Sequence, residues 1–218
     1  MKLNTVIFDM DGLLIDSEPL WNEAADEIFQ RYGFHLTTSQ YNTTTGMRTK
    51  EFVEWWFSHH KIDPRYNEDA ERDILNTVVD KVVAKGKPMQ VVEHIFNFFI
   101  SRNFKIGLAT SSGNSLIDVV VDKLGIRKYL LAIASAADLP FGKPHPQVYL
   151  NCAEQLSSSP LECICFEDSF NGMIAAKSAR MKCIVVPAAH DSQNGKFTSA
   201  DLKISSLRNF NELLLQAL

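Results

Sequence analysis

Cysteine is scarce. The four residues, Cys152, Cys163, Cys165 and Cys183, contain no C-x-x-C pair, which excludes the usual thiolate metal spacing and a thioredoxin-type redox motif. They are expected to be reduced core residues in a reducing, cytoplasmic setting. Cys163 and Cys165 alternate along a strand-like segment and are expected on one side of it. Long apolar runs are also missing. The richest stretch, residues 91–100, is short and carries Glu93, His94 and Asn97, so no membrane span and no membrane partner are expected. Residues 1–5 show neither an apolar signal core nor a small-residue cleavage site, so no secretory leader is expected. A basic excess is absent too: 22 Lys and Arg face 26 Asp and Glu, for a net charge of -4. Generic nucleic-acid binding, which needs clustered cations, is therefore not expected, although a local cationic site for a small anion remains compatible with an acidic body. The six histidines show no H-E-x-x-H spacing and are assigned no metal. There is no internal repeat or low-complexity tract.

What is present suits one medium domain, or a core with a small insert: 218 residues, 45% hydrophobic and 22% charged, with a monomer as the default state. Thr5-Val6-Ile7-Phe8 is an apolar, β-rich run ending in Asp9-Met10-Asp11-Gly12, the pattern of a buried strand that delivers two aspartates at its end. Pro19 opens a helix to Tyr32, with Trp21, Ala24, Ala25, Ile28 and Phe29 at helical spacing, and Gly33 stops it. Residues 36–86 show helical periodicity without a strand, most clearly at 47–60 and 68–85, until Gly86-Lys87-Pro88 breaks the pattern. Helices over 89–102, 115–124, 146–155 and 173–179 then precede strands over 105–109, 131–135, 163–166 and 183–186, followed by a strand near 202–204 and a short final helix. This alternation predicts an α/β fold: a doubly wound, Rossmann-like parallel sheet (residues 1–16 and 88–218) interrupted by an all-helical insert (residues 17–87).

Ligands of open parallel sheets bind beyond the carboxyl ends of the strands. There the sequence places Asp9 and Asp11, then Thr110, Ser111 and Ser112, then a loop with Lys143, then Glu167 and Asp168. Each has an ordinary reading alone. Asp-x-Asp-Gly can be a polar turn, Thr110 to Ser112 a helix cap, Lys143 a solvated loop residue, and Glu167-Asp168 an acidic pair at a helix start. Four such groups at one sheet edge suit phosphoryl transfer. Hard oxygen ligands favour Mg2+, an aspartate can act as nucleophile, and a lysine with hydroxyl and N–H donors stabilises charge spread over phosphoryl oxygens. In the insert, Arg48 of Gly46-Met47-Arg48 is either a ligand for a hydroxyl-rich or anionic part of the substrate or a surface arginine at a helix start. Trp21 either stacks on a sugar or packs insert against core.

These residues resemble a family. Residues 6–17 (Val-Ile-Phe-Asp-Met-Asp-Gly-Leu-Leu-Ile-Asp-Ser) are similar to the first motif of the haloacid dehalogenase superfamily. Thr110 after Leu108-Ala109 is similar to its second, Lys143 in Gly142-Lys143-Pro144-His145-Pro146 to its third, and Phe166-Glu167-Asp168-Ser169 to its fourth. The insert resembles the small cap of the β-phosphoglucomutase-like branch, and residues 15–21 and 143–150 resemble members that hydrolyse 2-deoxyglucose 6-phosphate and hexitol phosphates. The resemblance implies a Mg2+-dependent phosphatase of small sugar or polyol phosphates that forms an aspartyl-phosphate, with residues 17–87 as a specificity cap and a small phosphorylated metabolite as its partner. It implies that Asp9 is the nucleophile and a metal ligand. Asp11 is the general acid and then base, and binds metal through its carbonyl. Asp168 is a further ligand with Glu167 behind it. Lys143 neutralises the nucleophile, and Thr110 and the Ser111 backbone hold a phosphoryl oxygen; Arg48 and Trp21 stay candidate substrate contacts of the cap with both of their readings open. Where the mutases of this branch carry a histidine at the cap start, Trp21 stands here, which favours hydrolysis over a β-phosphoglucomutase-like isomerisation. A non-catalytic phosphometabolite-binding protein is the remaining alternative. The glycine that often follows the proline at position 88 is replaced by Met89, and the second motif carries threonine in place of serine.

Overall fold

The computed structural model describes residues 2–90, 92–192 and 195–218; Val91, inside the helix expected over 89–102, lies outside the described residues. Strand β1 (Thr5–Phe8) leads into a two-residue strand β2 (Ile15–Asp16), then four helices follow: α1 (Glu18–Phe29), α2 (Thr38–Thr44), α3 (Thr49–His60) and α4 (Asn67–Lys85). After β3 (Lys87–Pro88) the chain alternates through α5 (Val92–Ile100), β4 (Lys105–Thr110), α6 (Asn114–Leu124), β5 (Ala132–Ser135), α7 (Gln147–Gln155), β6 (Cys163–Glu167), α8 (Phe170–Ser178), β7 (Lys182–Val185), β8 (Leu202–Lys203) and α9 (Glu212–Gln216).

Among the described residues the main sheet has six strands in the order β5-β4-β1-β6-β7-β8, paired parallel throughout. This is the doubly wound α/β architecture expected from the alternation. Its central strand β1 is wholly buried and pairs on both sides, with Phe8 level with Leu108 on β4 and Phe166 on β6. The ladder runs one residue further, because the Asp9 amide donates to the Phe166 carbonyl at 3.0 Å. The ends of β1, β4, β5 and β6 are therefore brought to one edge.

Successive strand residues face opposite sides. One face carries Phe8, stacked between Phe96 and Phe166 at 5.1 Å each, with Phe99 meeting Phe8, Phe166 and Phe210. The other face carries Ile7, Cys163, Cys165 and Cys183 in one cluster under α7 and α8. Cys163 and Cys165 thus share a side, and burial pushes the thiols of Cys152 and Cys163 up to about 12. All four cysteines are free and buried. Among the described residues no helix is long and apolar enough to cross a membrane.

Two features depart from the sequence pattern. Helix α8 starts at Phe170 instead of near residue 173, because the Ser169 side chain accepts from the Gly172 amide at 3.0 Å and caps it there. Strands β2 and β3 pair antiparallel, Ile15 with Pro88 and Asp16 with Lys87, where the sequence showed only a break. A two-residue strand is too short for alternation to reveal. This ribbon ties together the points where the chain leaves the sheet region and returns to it.

The Phe99 ring is fully buried against five other rings, those of Phe8, Phe98, Phe104, Phe166 and Phe210. Phe99→Ala is expected to cost about 3–5 kcal/mol of unfolding free energy through the cavity it leaves, measured by chemical denaturation. A loss below about 1 kcal/mol would show that this layer is not a rigid core.

Candidate active site

The sheet register delivers Asp9 one residue past β1, Thr110 as the last residue of β4, Glu167 as the last residue of β6 and Asp168 just after it. Lys143 comes from the loop following β5. It is 3% exposed, and its Nζ donates to Asp9 Oδ1 at 2.5 Å, to Glu167 Oε1 at 2.6 Å and to the Ala109 carbonyl at 3.2 Å. Burial works against the ammonium charge, but the two carboxylates outweigh it and raise the lysine's affinity for its proton.

Glu167 is fully buried and both of its oxygens are occupied. Oε1 accepts from Lys143 and from the Tyr149 hydroxyl at 2.5 Å. Oε2 accepts from the Asp168 and Ser169 amides and the Ser169 hydroxyl, at 3.1 to 3.2 Å. It steadies both the lysine and the turn that aims Asp168. Asp11 is surrounded by donors: Ser17 Oγ at 2.7 Å and Trp21 Nε1 at 3.1 Å on Oδ1, and Ser112 Oγ at 2.7 Å on Oδ2. Gly12 has φ +71°, and a Cβ there would lie 2.2 Å from Asp168 Oδ2, so only glycine lets the two acidic turns approach this closely.

Asp9, Asp11, Trp21, Thr110, Ser111, Lys143 and Asp168 line one cleft, with about 720 Å³ of empty space that includes open solvent at its mouth, a concave site of the kind that takes small molecules. Glu167 lies beneath it. Trp21, on α1, lines the cleft and holds Asp11. The Ser111 hydroxyl donates to the Gly46 carbonyl at 3.0 Å, bridging to the helical insert.

Arg48 is the exception. It does not line the cleft. Its guanidinium donates to the carbonyls of Ala136 (3.1 Å) and Leu139 and to Glu51 Oε1 at 2.5 Å. Its two sequence readings, substrate ligand or surface arginine, both give way to a third, a buried contact with the β5 loop. Carbonyls are invisible to residue-type reasoning, and four of them cluster there.

The sequence did not single out Glu18, Tyr149 or Ser17. Glu18 lines the cleft as a further acid and was signalled only by its place directly after the first motif. Tyr149 sits on the apolar face of α7 and gives no sign that its hydroxyl reaches Glu167.

The site fits a divalent cation. Asp9, Glu167 and Asp168 each offer a carboxylate oxygen, all within 4.8 Å of one another. Since both Glu167 oxygens are occupied, Asp9 and Asp168 are the side chains left to hold an ion. The charge balance points the same way. Burial, with Glu167 and Asp11 adding to it against Lys143, pushes the Asp9 carboxyl up to about 8. Burial, then Asp9, Glu167 and Glu18, holds Asp168 well above the carboxylate range. Burial, then Asp11 and Asp16, pushes Glu18 up to about 7. One lysine does not balance these acids.

Residues 6–186 match the haloacid dehalogenase-like hydrolase family. Hexitol phosphatase B of Escherichia coli (strain K12) is 39% identical over 209 residues, which is 94% of this chain and 93% of that one. Among solved structures, β-phosphoglucomutase of Clostridium difficile has a TM-score of 0.86 at 23% identity and covers 98% of this chain and 96% of its own. CbbY of Rhodobacter sphaeroides in complex with phosphate has a TM-score of 0.87 at 24% identity, covering 99% and 100%. These two likenesses establish the shared fold.

The raised carboxyls fix the sign of a pH effect. Without a cation, the folded chain keeps protons that the unfolded chain releases between about pH 4 and pH 8, so stability falls as pH rises through that window. Denaturation of the chelated protein at pH 5.5 and pH 8 is expected to show the fall, and an added divalent cation to shrink it by binding the ionised form. Stability that rises with pH in chelator would contradict this charge balance.

Proposed function

The chain belongs to the haloacid dehalogenase-like hydrolase family and is a phosphoric monoester hydrolase; from that premise we propose that it is a Mg2+-dependent phosphatase of small sugar or polyol monophosphates that works through an aspartyl-phosphate on Asp9. The observation that carries the reading is the convergence of Asp9, Asp11, Lys143 and Asp168 from three strand-end segments on one cleft. Residues 17–87 are read as a cap that closes over the cleft and chooses the leaving group.

In this reading the Asp9 carboxylate attacks phosphorus, the bond to the ester oxygen breaks, and Asp11 gives its proton to the departing alcohol. Asp11 then takes a proton from water as that water attacks the phosphoryl group, and the bond to Asp9 breaks, releasing inorganic phosphate. The Ser17 and Ser112 hydroxyls beside Asp11 can donate to its ionised form and accept from its protonated form, so one pocket serves both halves of the cycle. Lys143 offsets the charge of Asp9, and Thr110 with the Ser111 amide takes the phosphoryl oxygens. Asp9, the Asp11 carbonyl and Asp168 would hold Mg2+, which supplies positive charge to the phosphoryl oxygens.

The insert's wall of the cleft supports a neutral leaving group. It presents the acid Glu18 with Trp21, Asn22, Tyr41, Met47, Thr49 and Phe52 and, among the described residues, no cationic side chain. Aromatic and hydroxyl surfaces suit the faces and hydroxyls of a sugar or polyol. A wall without a cation does not suit the second phosphate that a mutase handling bisphosphates must grip.

Free phosphate is expected from a generic aryl phosphate and from members of a sugar- and polyol-phosphate panel, with Mg2+ required. Asp9→Asn is expected to abolish turnover, and Asp11→Asn to lower kcat by about 10²–10⁴-fold. Interconversion of sugar-phosphate isomers without phosphate release would replace this reading with the mutase one. A folded protein that binds the panel without turning any of it over would replace it with a binding protein.

A further inference from the structure

We propose that Arg48 and Glu51 form a latch between the insert and the loop that carries Lys143, and that they act as positioning residues for that lysine. The kinetic part rests on the function proposed above; the structural part does not.

Arg48 precedes α3 in the insert and is 7% exposed. Its Nη1 donates to the carbonyls of Ala136 at 3.1 Å and Leu139, and its Nη2 reaches Glu51 Oε1 at 2.5 Å. The Ala137 and Pro140 carbonyls lie at 3.5 Å. Glu51 Oε1 in turn accepts from the Gly142 amide at 3.3 Å. The pair thus grips residues 136–142 from above, by carbonyls at one end and an amide at the other, and the next residue is Lys143. Gly142 is shaped for this. A Cβ there would lie 2.7 Å from both Arg48 Nε and Glu51 Oε2, so any larger residue pushes the pair off the backbone.

The geometry matters because Lys143 has little freedom to be misplaced. Its ammonium must fit between Asp9 Oδ1 and Glu167 Oε1, 2.5 and 2.6 Å away, and its main chain is set by the segment the latch holds. A shift of roughly 1 Å in a catalytic group costs rate steeply. The latch is also built to open. Among the described residues the buried Arg48 Nε has no hydrogen-bond partner, a cost that hydration removes when insert and loop part. Seating the guanidinium on the loop fixes Lys143, and parting the insert from the loop frees both. A planar five-donor head suits several carbonyls and a carboxylate at once; an ammonium does not.

The test compares Arg48→Met, Arg48→Lys, Gly142→Ala and the double variant Arg48→Met/Gly142→Ala. Amide hydrogen exchange over residues 139–145 is measured on the folded, substrate-free protein, and steady-state kinetics on an aryl phosphate and a sugar phosphate. In Arg48→Met, exchange in that segment is expected to speed up and kcat to fall about tenfold or more on both substrates, with KM for the aryl phosphate within about twofold. Arg48→Lys is expected to fall between, and the double variant to be little worse than either single one, because both open the same latch. Three results would overturn the proposal. One is unchanged exchange over 139–145. Another is a raised KM for the sugar phosphate alone with kcat kept, which makes Arg48 a substrate ligand. The third is a lowered denaturation midpoint with kcat kept, which makes it merely structural. If Arg48→Met does not fold, Arg48→Lys and Gly142→Ala carry the same comparison. If the wild-type protein releases no phosphate from any substrate, the proposed function fails and the exchange measurement alone decides the latch.

Discussion

The Lys143 ammonium lies out of water between two buried carboxylates, and most of the site follows from it. Stripping an ammonium and two carboxylates of solvent is expensive, and such clusters add little net stability. Its presence in an otherwise apolar core therefore argues for a chemical purpose. The parallel sheet makes the arrangement possible, because buried strand ends supply carbonyls and amides at fixed positions. The Ala109 carbonyl takes one lysine proton, and the amides after β6 take one Glu167 oxygen. Glu167 serves as the hinge of the charge network: one oxygen restrains the lysine, the other restrains the turn that presents Asp168. A negatively charged substrate entering a cleft already lined by Asp9, Asp11, Glu18 and Asp168 would be repelled by it. The acid excess thus demands added positive charge as firmly as the oxygen ligands invite it.

Asp11 shows how the helical insert reaches the site through neutral donors. Two of its three donors, Ser17 and Trp21, stand at the entry to the insert, and the third, Ser112, follows β4. Trp21 can only donate, whereas the two hydroxyls can turn and accept. The carboxylate is therefore held in place by the indole on one side and by two rotatable hydroxyls on the other. Gly46 and Thr45 of the insert also meet Ser111 and Asn171 of the sheet-bearing part, so the contacts across the cleft mouth are mostly neutral.

Much of this was legible in the sequence, for identifiable reasons. Continuous apolar runs such as Thr5 to Phe8 and Cys163 to Phe166 announce buried parallel strands, and the polar residues that interrupt them mark the edge where ligands gather. Asp9, Asp11, Glu167 and Asp168 are visible because charge at the end of an apolar strand is unusual, and Lys143 because its loop leaves a strand that ends at the same edge. Tyr149 was hidden because its helical position reads as core, which it also is. The β2–β3 ribbon was hidden because two residues carry no period. The start of α8 was misplaced because a serine cap three residues ahead of the apolar face looks like loop until its hydroxyl is seen on the Gly172 amide.

Arg48 shows a different kind of limit. Its type gives its charge but not its destination, and in an insert above a phosphate-type site the obvious destination is the ligand. What redirects it is backbone. The β5 loop turns its carbonyls at residues 136, 139 and 140 toward one point, a concentration of negative dipole ends that only a forked cation satisfies. Once the guanidinium is committed there, the insert's wall of the cleft is left without a cation among the described residues. The same contact that holds the insert on the loop thus also keeps that cation off the cleft wall. An insert that used this arginine to hold an anionic group in the cleft would have to release the loop behind Lys143 to do so, so the charge of the insert's wall and the seating of that loop become one constraint.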